Sequence, residues 1–188
     1  MKKNSIIKVL GIFISILILI PMFSVSCDND ENGNVDPLIG KYTFSSAVFN
    51  ETVGIKVEGY YVSFQPGDDA SLFVRNGILK AAPCDNIANA AVDLRSDGKT
   101  YYICLGEDNE DQMGTWVNVG DSVLTFNISN PQSLALIISG LEITETQFKG
   151  TVENFPLPRD TEYELGADFP GGKNIALKSV DVTFARVE

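Results

Sequence analysis

Three features decide which chemistry this 188-residue chain can perform: its cysteines, its clustered carboxylates and the histidine it lacks. Without a histidine anywhere in the sequence, nucleophilic triads and dyads that use imidazole as general base are excluded, as are the usual zinc sites. The densest carboxylate cluster is Glu107-Asp108-Asn109-Glu110-Asp111. Glycoside hydrolysis needs two carboxyls facing each other across a cleft. These four acids lie in one loop between two strands, the usual setting of a solvated charge run, and a surface cation is the other chemistry they suit. Asp28, Asp30, Asn32, Gly33 and Asp36 fall at positions 1, 3, 5, 6 and 9 of a calcium loop, but Ile39 stands where the bidentate Glu is required. The chain is therefore read as a non-enzyme with no catalytic residue, no metal site and no cofactor. Of the cysteines, Cys27 closes an apolar run, while Cys84 and Cys104 lie in the body of the chain. In an exported chain an even pair suits a disulfide; the other reading is two buried free thiols.

The segments around these residues divide the chain. Residues 1–8 carry three positive charges and no acid, followed by the apolar run VLGIFISILILI, Pro21, and Ser24-Val25-Ser26 before Cys27. A basic tip, an apolar stretch and small residues before a cut site describe a secretory signal over residues 1–26. A membrane span needs about 20 apolar residues, and Val9 to Val25 falls short of it. From Cys27 to Pro37 the chain is acidic and poor in apolar residues, too poor to bury itself, and reads as a tether. Residues 38–188 are then one domain, long enough for a real core. The chain has a net charge of −11, and the leader removes only lysines (Lys2, Lys3 and Lys8), so the mature protein is more acidic still. Such a surface repels nucleic acid and anionic lipid.

Beyond Pro37 the pattern is of strands and turns. Lys41–Phe49 and Val57–Phe64 read as strands, and Ser71–Arg75 as a shorter one ending at a hairpin dipeptide, Asn76-Gly77. Asp97-Gly98 separates NAAVDLRS from KTYYICLG, and a two-residue turn there opposes Leu94 with Tyr101 and Val92 with Ile103. This register sets Cys84 level with Asp111, not with Cys104, so a bridge requires the chain to curl at the strand ends. Gly120-Asp121 likewise opposes Val117 with Leu124, placing Val117, Leu124 and Phe126 on one face. LALIISGLEI follows, with a bulge expected at Gly140, then a turn at Thr144–Gln147 and a return through FKGTVE; SVDVTFARV closes the domain. No segment holds a helical period for three turns, and Asp85–Ala91 is the best candidate for a helical turn. Eight to ten short strands joined mostly by hairpins predict an all-β, antiparallel, up-and-down barrel with little helix, because closure hides every sheet edge.

Ser26-Cys27 behind the apolar run resembles a bacterial lipoprotein lipobox, with Ser24 where leucine is usual. The resemblance implies cleavage by signal peptidase II and acylation of Cys27. The acids that follow are similar to the surface-export signal of Bacteroidetes lipoproteins, which implies an outer-membrane anchor exposed at the cell surface. The domain resembles the lipocalin-like lipoproteins of Bacteroidetes, within the calycin group. The residues that carry this are Leu38-Ile39-Gly40-Lys41-Tyr42, Pro83-Cys84-Asp85, Ser96-Asp97-Gly98-Lys99-Thr100-Tyr101, Cys104, Gly114-Thr115-Trp116, Gly120-Asp121-Ser122-Val123-Leu124 and Val182–Val187. Tyrosine at 42 stands in place of the tryptophan of the lipocalin Gly-x-Trp opening. The resemblance implies that Cys84 and Cys104 pair. It also implies a barrel whose mouth or interior takes a small apolar or amphipathic ligand, since eight strands enclose room for one. Trp116 is the residue singled out for such a cavity, its other reading being the barrel floor. The adjacent pairs Tyr60-Tyr61 and Tyr101-Tyr102 should each place one ring inside and one outside. The alternative function is an interaction module with a packed interior that binds a partner protein or glycan.

Overall fold

Residues 35–57, 60–120, 122–130, 133–158, 162–163 and 175–188 are described in the computed structural model of the chain. The expected signal segment, Cys27, most of the expected tether and all but Asp36 of the calcium-loop-like residues lie outside them. No helix among the described residues is long and apolar enough to cross a membrane.

Aromatic and β-branched residues at a two-residue period give long strands with one buried face. In chain order these are β1 (Gly40–Phe49), β2 (Val53–Val57), β3 (Tyr60–Phe64), helix α1 (Ser71–Leu79), β4 (Ala90–Leu94), β5 (Lys99–Cys104) and β6 (Glu110–Val119). Then follow β7 (Val123–Ile128), β8 (Leu134–Ile143), β9 (Gln147–Pro158), β10 (Glu162–Tyr163) and β11 (Ile175–Arg186). Eight of them form a closed antiparallel barrel in the order β1-β11-β9-β8-β7-β6-β5-β4. β1 closes it: Tyr42 lies opposite Val92 of β4 on one side and Arg186 of β11 on the other. β10, β2 and β3 make a small separate sheet. The expected bulge at Gly140 is present as a register shift between Ser139 and Glu142.

Both hairpin registers differ from expectation by one residue. Arg95 N–H donates to Lys99 O and Gly98 N–H donates to Arg95 O, each at 3.0 Å, so the turn runs through three residues, Ser96-Asp97-Gly98. Gly98 sits at φ +75°, the left-handed position that such a three-residue loop requires. Leu94 therefore faces Thr100 and Val92 faces Tyr102. A one-residue slip exchanges the faces of the returning strand: Tyr102 is buried, and Tyr101 lies outside beneath Arg95, 3.8 Å from guanidinium carbon to ring centre. At the next hairpin Val119 faces Val123 and Trp116 faces Phe126. The inward face is thus Trp116, Leu124 and Phe126, while Val117 is 50% exposed.

Two expected elements change type. Val57–Phe64 is not one strand: Val57 ends β2 and pairs with Tyr60, and Tyr60–Phe64 is β3, returning antiparallel along β2. Ser71–Arg75 is not a strand: it is the start of α1. Ala70, Val74 and Ile78 recur at four-residue spacing, with Phe73 and Leu79 beside them, and all five are buried. Burying the larger four contributes about 1.5–3 kcal/mol each, which outweighs the roughly 1 kcal/mol that Gly77 costs in a helix interior. The Asp69 carboxylate accepts the Ser71 N–H at 2.8 Å, and Ala47 N–H donates to Ser71 Oγ, which ties the helix start to β1. The expected helical turn at 85–91 is a 3-10 turn, Ile87–Asn89, capped where Ala88 N–H donates to Asn86 Oδ1.

Candidate functional site

The two ends of the barrel are built differently. At one end, which we call the floor, Arg186 reaches under β1. Its guanidinium donates to Ile39 O at 3.1 Å, to the Tyr42 hydroxyl at 2.6 Å and to Pro37 O. Asp36 accepts from Leu38 N–H and from the Asn118 amide. Asp36 and Pro37, read from sequence as the end of the tether, are therefore bound to the barrel. Trp116 is buried beside this end and its indole N–H donates to Arg95 O at 2.9 Å. Above Tyr42, Phe148 meets its ring edge-on at 4.8 Å and stacks on Phe184 at 5.0 Å.

At the opposite end α1 covers the opening. Ala70 N–H donates to Ala47 O, and Phe73 packs on Phe49 and Phe64. Below the helix the interior holds a void of about 10 Å³ between Ile78, Val92, Met113, Leu136, Val182 and their neighbours, all apolar. Outside, between α1 and the chain leading to β4, lies an open groove of about 410 Å³. Leu79, Ala82 and Ile87 give it an apolar base, and Asn76, Lys80, Asp85 and Asn86 give it a polar edge. The Cys84–Cys104 disulfide fixes one wall, with Cα atoms 5.4 Å apart. Cys84 lies in the coil before β4, so the chain does curl at the strand end. Trp116 lines neither space.

The bridge closes a loop of 20 residues, which by the chain-entropy model is worth about 3 kcal/mol. Reduction with dithiothreitol is expected to lower the unfolding free energy by that amount, read as a lower urea midpoint, with a slope that rises because the released unfolded chain exposes more surface. An unchanged midpoint would contradict a bridge that constrains the unfolded chain.

Asn109 donates to Glu107, and Glu110 binds Arg95 at 2.5 Å, while Arg95 also holds Asp93 at 3.0 Å. The hydrogen bond from Arg95 holds the Glu110 carboxyl below its ordinary range. Lys178 does the same to Glu51. No group of three acids or cysteines placed to hold a metal occurs among the described residues. Burial pushes the Tyr42 and Tyr102 hydroxyls up, for Tyr42 against the opposing pull of Arg186. The signs set the pH window. Depressed carboxylates contribute stability that is present above about pH 4.5 and lost as pH falls below it. Raised tyrosines contribute stability that is present below about pH 10 and lost above it. With no histidine, the side chain that ordinarily titrates near neutrality is absent. Melting temperature followed by circular dichroism is expected to stay level from about pH 6 to 9 and to fall on both sides; a step centred near neutrality would contradict this.

The groove was missed from sequence because its helix was read as a strand. The signal was the spacing of Ala70, Val74 and Ile78. Arg186, the residue that ties Pro37, Ile39 and Tyr42 together, carried no sequence signal beyond lying on the last strand. Compared with known proteins, the sequence matches no protein-family model and no curated protein.

Proposed function

We propose that the chain is an exported lipoprotein, acylated at Cys27 and anchored in the outer membrane toward the cell surface, whose lipocalin-like barrel binds a small amphipathic molecule in the groove at its α1 end. The observation that carries the binding part is a contrast of volumes. The interior void of about 10 Å³ offers about one water's worth of space. The groove of about 410 Å³ is open to solvent but offers far more room, and like ligand sites it pairs an apolar base with a few polar groups. The anchor is supported by the order of basic tip, apolar run, small residues and Cys27. A lipid anchor asks for no apolar membrane-facing surface on the barrel. The floor, where Asp36 and Pro37 join the barrel, is the end opposite α1, so the groove opens away from the tethered end. This reading assigns no catalysis, cofactor or nucleic-acid partner.

A second reading has its own observation. A barrel filled by its own side chains is also a scaffold, and a surface module binding a partner protein or glycan needs no cavity.

Palmitate labelling in the native host is expected for the parent chain and lost in Cys27→Ala; labelling that persists sinks the anchor. Native mass spectrometry of protein from that host is expected to find a retained small molecule, lost when Ala82→Trp fills the groove. An empty parent protein favours the interaction module, and a ligand kept by Ala82→Trp moves the site elsewhere.

A further inference from the structure

The groove beside α1 owes one wall to a covalent bond and to little else. Residues 81–88 run from the end of α1 toward β4, and Ala82, Cys84, Asp85, Asn86 and Ile87 of this segment line the groove. Among the described residues, the backbone hydrogen bonds of the segment are all local. Ala82 N–H donates to Leu79 O, Cys84 N–H to Ala82 O and Ala88 N–H to Asn86 Oδ1. Asn89 N–H and Ala90 N–H return to Asn86 O and Ile87 O. The first backbone bond to a distant strand comes at Asn89, whose carbonyl accepts from Leu105 N–H at 2.9 Å. Side chains add little: Ala81, Ala82 and Ile87 rest on the core, and only Ile87 is large. The tie that holds the middle of this wall to the barrel is the Cys84–Cys104 disulfide.

The two sulfurs are unequally placed. Cys104 lies on β5 and is 3% exposed, whereas Cys84 is half-buried and lines the groove. A disulfide is cut by thiolate attack on one of its sulfurs, and access helps to decide which. Attack from the groove reaches Cys84 Sγ and not Cys104. We infer that this bridge is a redox gate on the groove: a thiol reductant entering at Cys84 frees the wall and releases what the groove holds. In the first step the reductant's thiolate bonds to Cys84 Sγ. The S–S bond breaks and its electron pair leaves on Cys104 Sγ, which takes a proton from solvent. A second thiol then attacks the reductant's sulfur in this mixed disulfide, and Cys84 leaves as a thiolate and takes up a proton. One protein disulfide and two reductant thiols thus give two protein thiols and one reductant disulfide, with no other co-reactant.

This regulation presupposes that the groove is the binding site. A ligand of the oxidised chain meets a wall already in place. In the reduced chain it must order that wall itself, and fixing even one freed residue weakens binding by about tenfold. The barrel does not depend on the bridge in the same way. Eight strands pair around its full circle, and the stability lost on reduction still leaves a domain of this size folded. The gate is therefore local: the groove is lost and the barrel kept. In an oxidising compartment, where such bridges persist, the groove stays formed, and it unloads where a dithiol or a pair of small thiols is supplied.

The test uses the full chain, octanoate as the groove probe and ¹³C methyls as reporters. Reduction with dithiothreitol, without urea, is expected to weaken octanoate binding at Leu79, Ala82 and Ile87 by about tenfold or more. The methyls of Met113, Leu136 and Val182 should keep their positions. Glutathione, a monothiol, is expected to form a mixed disulfide on Cys84 about tenfold more often than on Cys104, read by peptide mass spectrometry. Cys84→Ala should lose octanoate to the same extent with no thiol present, which excludes competition by the reductant. Tight binding by Cys84→Ala, a mixed disulfide on Cys104, or reduction that moves the interior methyls to unfolded positions would each overturn the gate. Octanoate binding that survives reduction unchanged defeats the gate alone, whereas an oxidised chain that does not bind octanoate defeats the groove and the gate with it.

Discussion

Phe148→Ala is expected to destabilise the protein by about 3–5 kcal/mol, the range for truncating a buried phenylalanine. The side chain is fully buried and lies between Tyr42, at 4.8 Å, and Phe184, at 5.0 Å. Tyr42 is itself held by Arg186 at the floor, so the neighbours have little freedom to collapse into the space. A domain of this size has about 5–15 kcal/mol in all, so the change removes a large share of it. In urea the midpoint should fall with little change in slope. The variant also reports on the interior: apolar cavities of roughly 150 Å³ stay dry and accept benzene. Benzene is expected to raise the melting temperature of Phe148→Ala and to leave the parent unchanged. A loss below about 1 kcal/mol, or benzene stabilisation of the parent, would mean that the barrel is not packed as described.

Gly114→Ala is expected to do comparable damage through a single methyl group. A Cβ at this position would lie 2.0 Å from the carbonyl oxygen of Asn127 and 2.9 Å from its carbon. Both are backbone atoms of β7, and Gly114 is paired with Ile128 on that strand, so no side chain can rotate away. Relief requires β6 and β7 to separate by more than 1 Å where β7 ends, at the cost of hydrogen bonds between the two strands. Overpacking ordinarily costs about 1–3 kcal/mol and more where the backbone must move. We expect at least the upper figure. The exposed neighbour Thr115→Ala, measured alongside, should stay within about 0.5 kcal/mol. A stable Gly114→Ala would show that the two strands lie farther apart here.

What the sequence revealed and what it hid follow from range. Period-two runs such as LALIISGLEI and SVDVTFARV show their buried face locally, and the barrel follows because a sheet of hairpins must hide its edges. The β4–β5 register differs because Gly98 permits both a two-residue and a three-residue loop, and only pairing on the far sides of both strands decides between them. The β2–β3 hairpin was obscured by the apolar continuity of Val57 to Phe64. For Ser71–Leu79, Asn76-Gly77 argued for a turn, but burial of Phe73, Val74, Ile78 and Leu79 over the barrel end overrode that local preference. The groove went unseen with the helix, and the barrel's small interior volume depends on the fit of side chains from every strand, which no local pattern encodes. The expectation for Cys27 rests on the sequence alone, because processing signals are linear. Pairing of Cys84 with Cys104 could not be read from strand register, since Cys84 precedes its strand.

The central claim is that binding takes place in the groove beside α1 and not inside the barrel. Nuclear magnetic resonance of the ¹³C-methyl-labelled protein, titrated with octanoate as an amphipathic probe, tests it most directly. Saturable shifts are expected at the methyls of Leu79, Ala82 and Ile87, with those of Met113, Leu136 and Val182 unmoved. Shifts that begin at the interior methyls, or none at all, would contradict the claim.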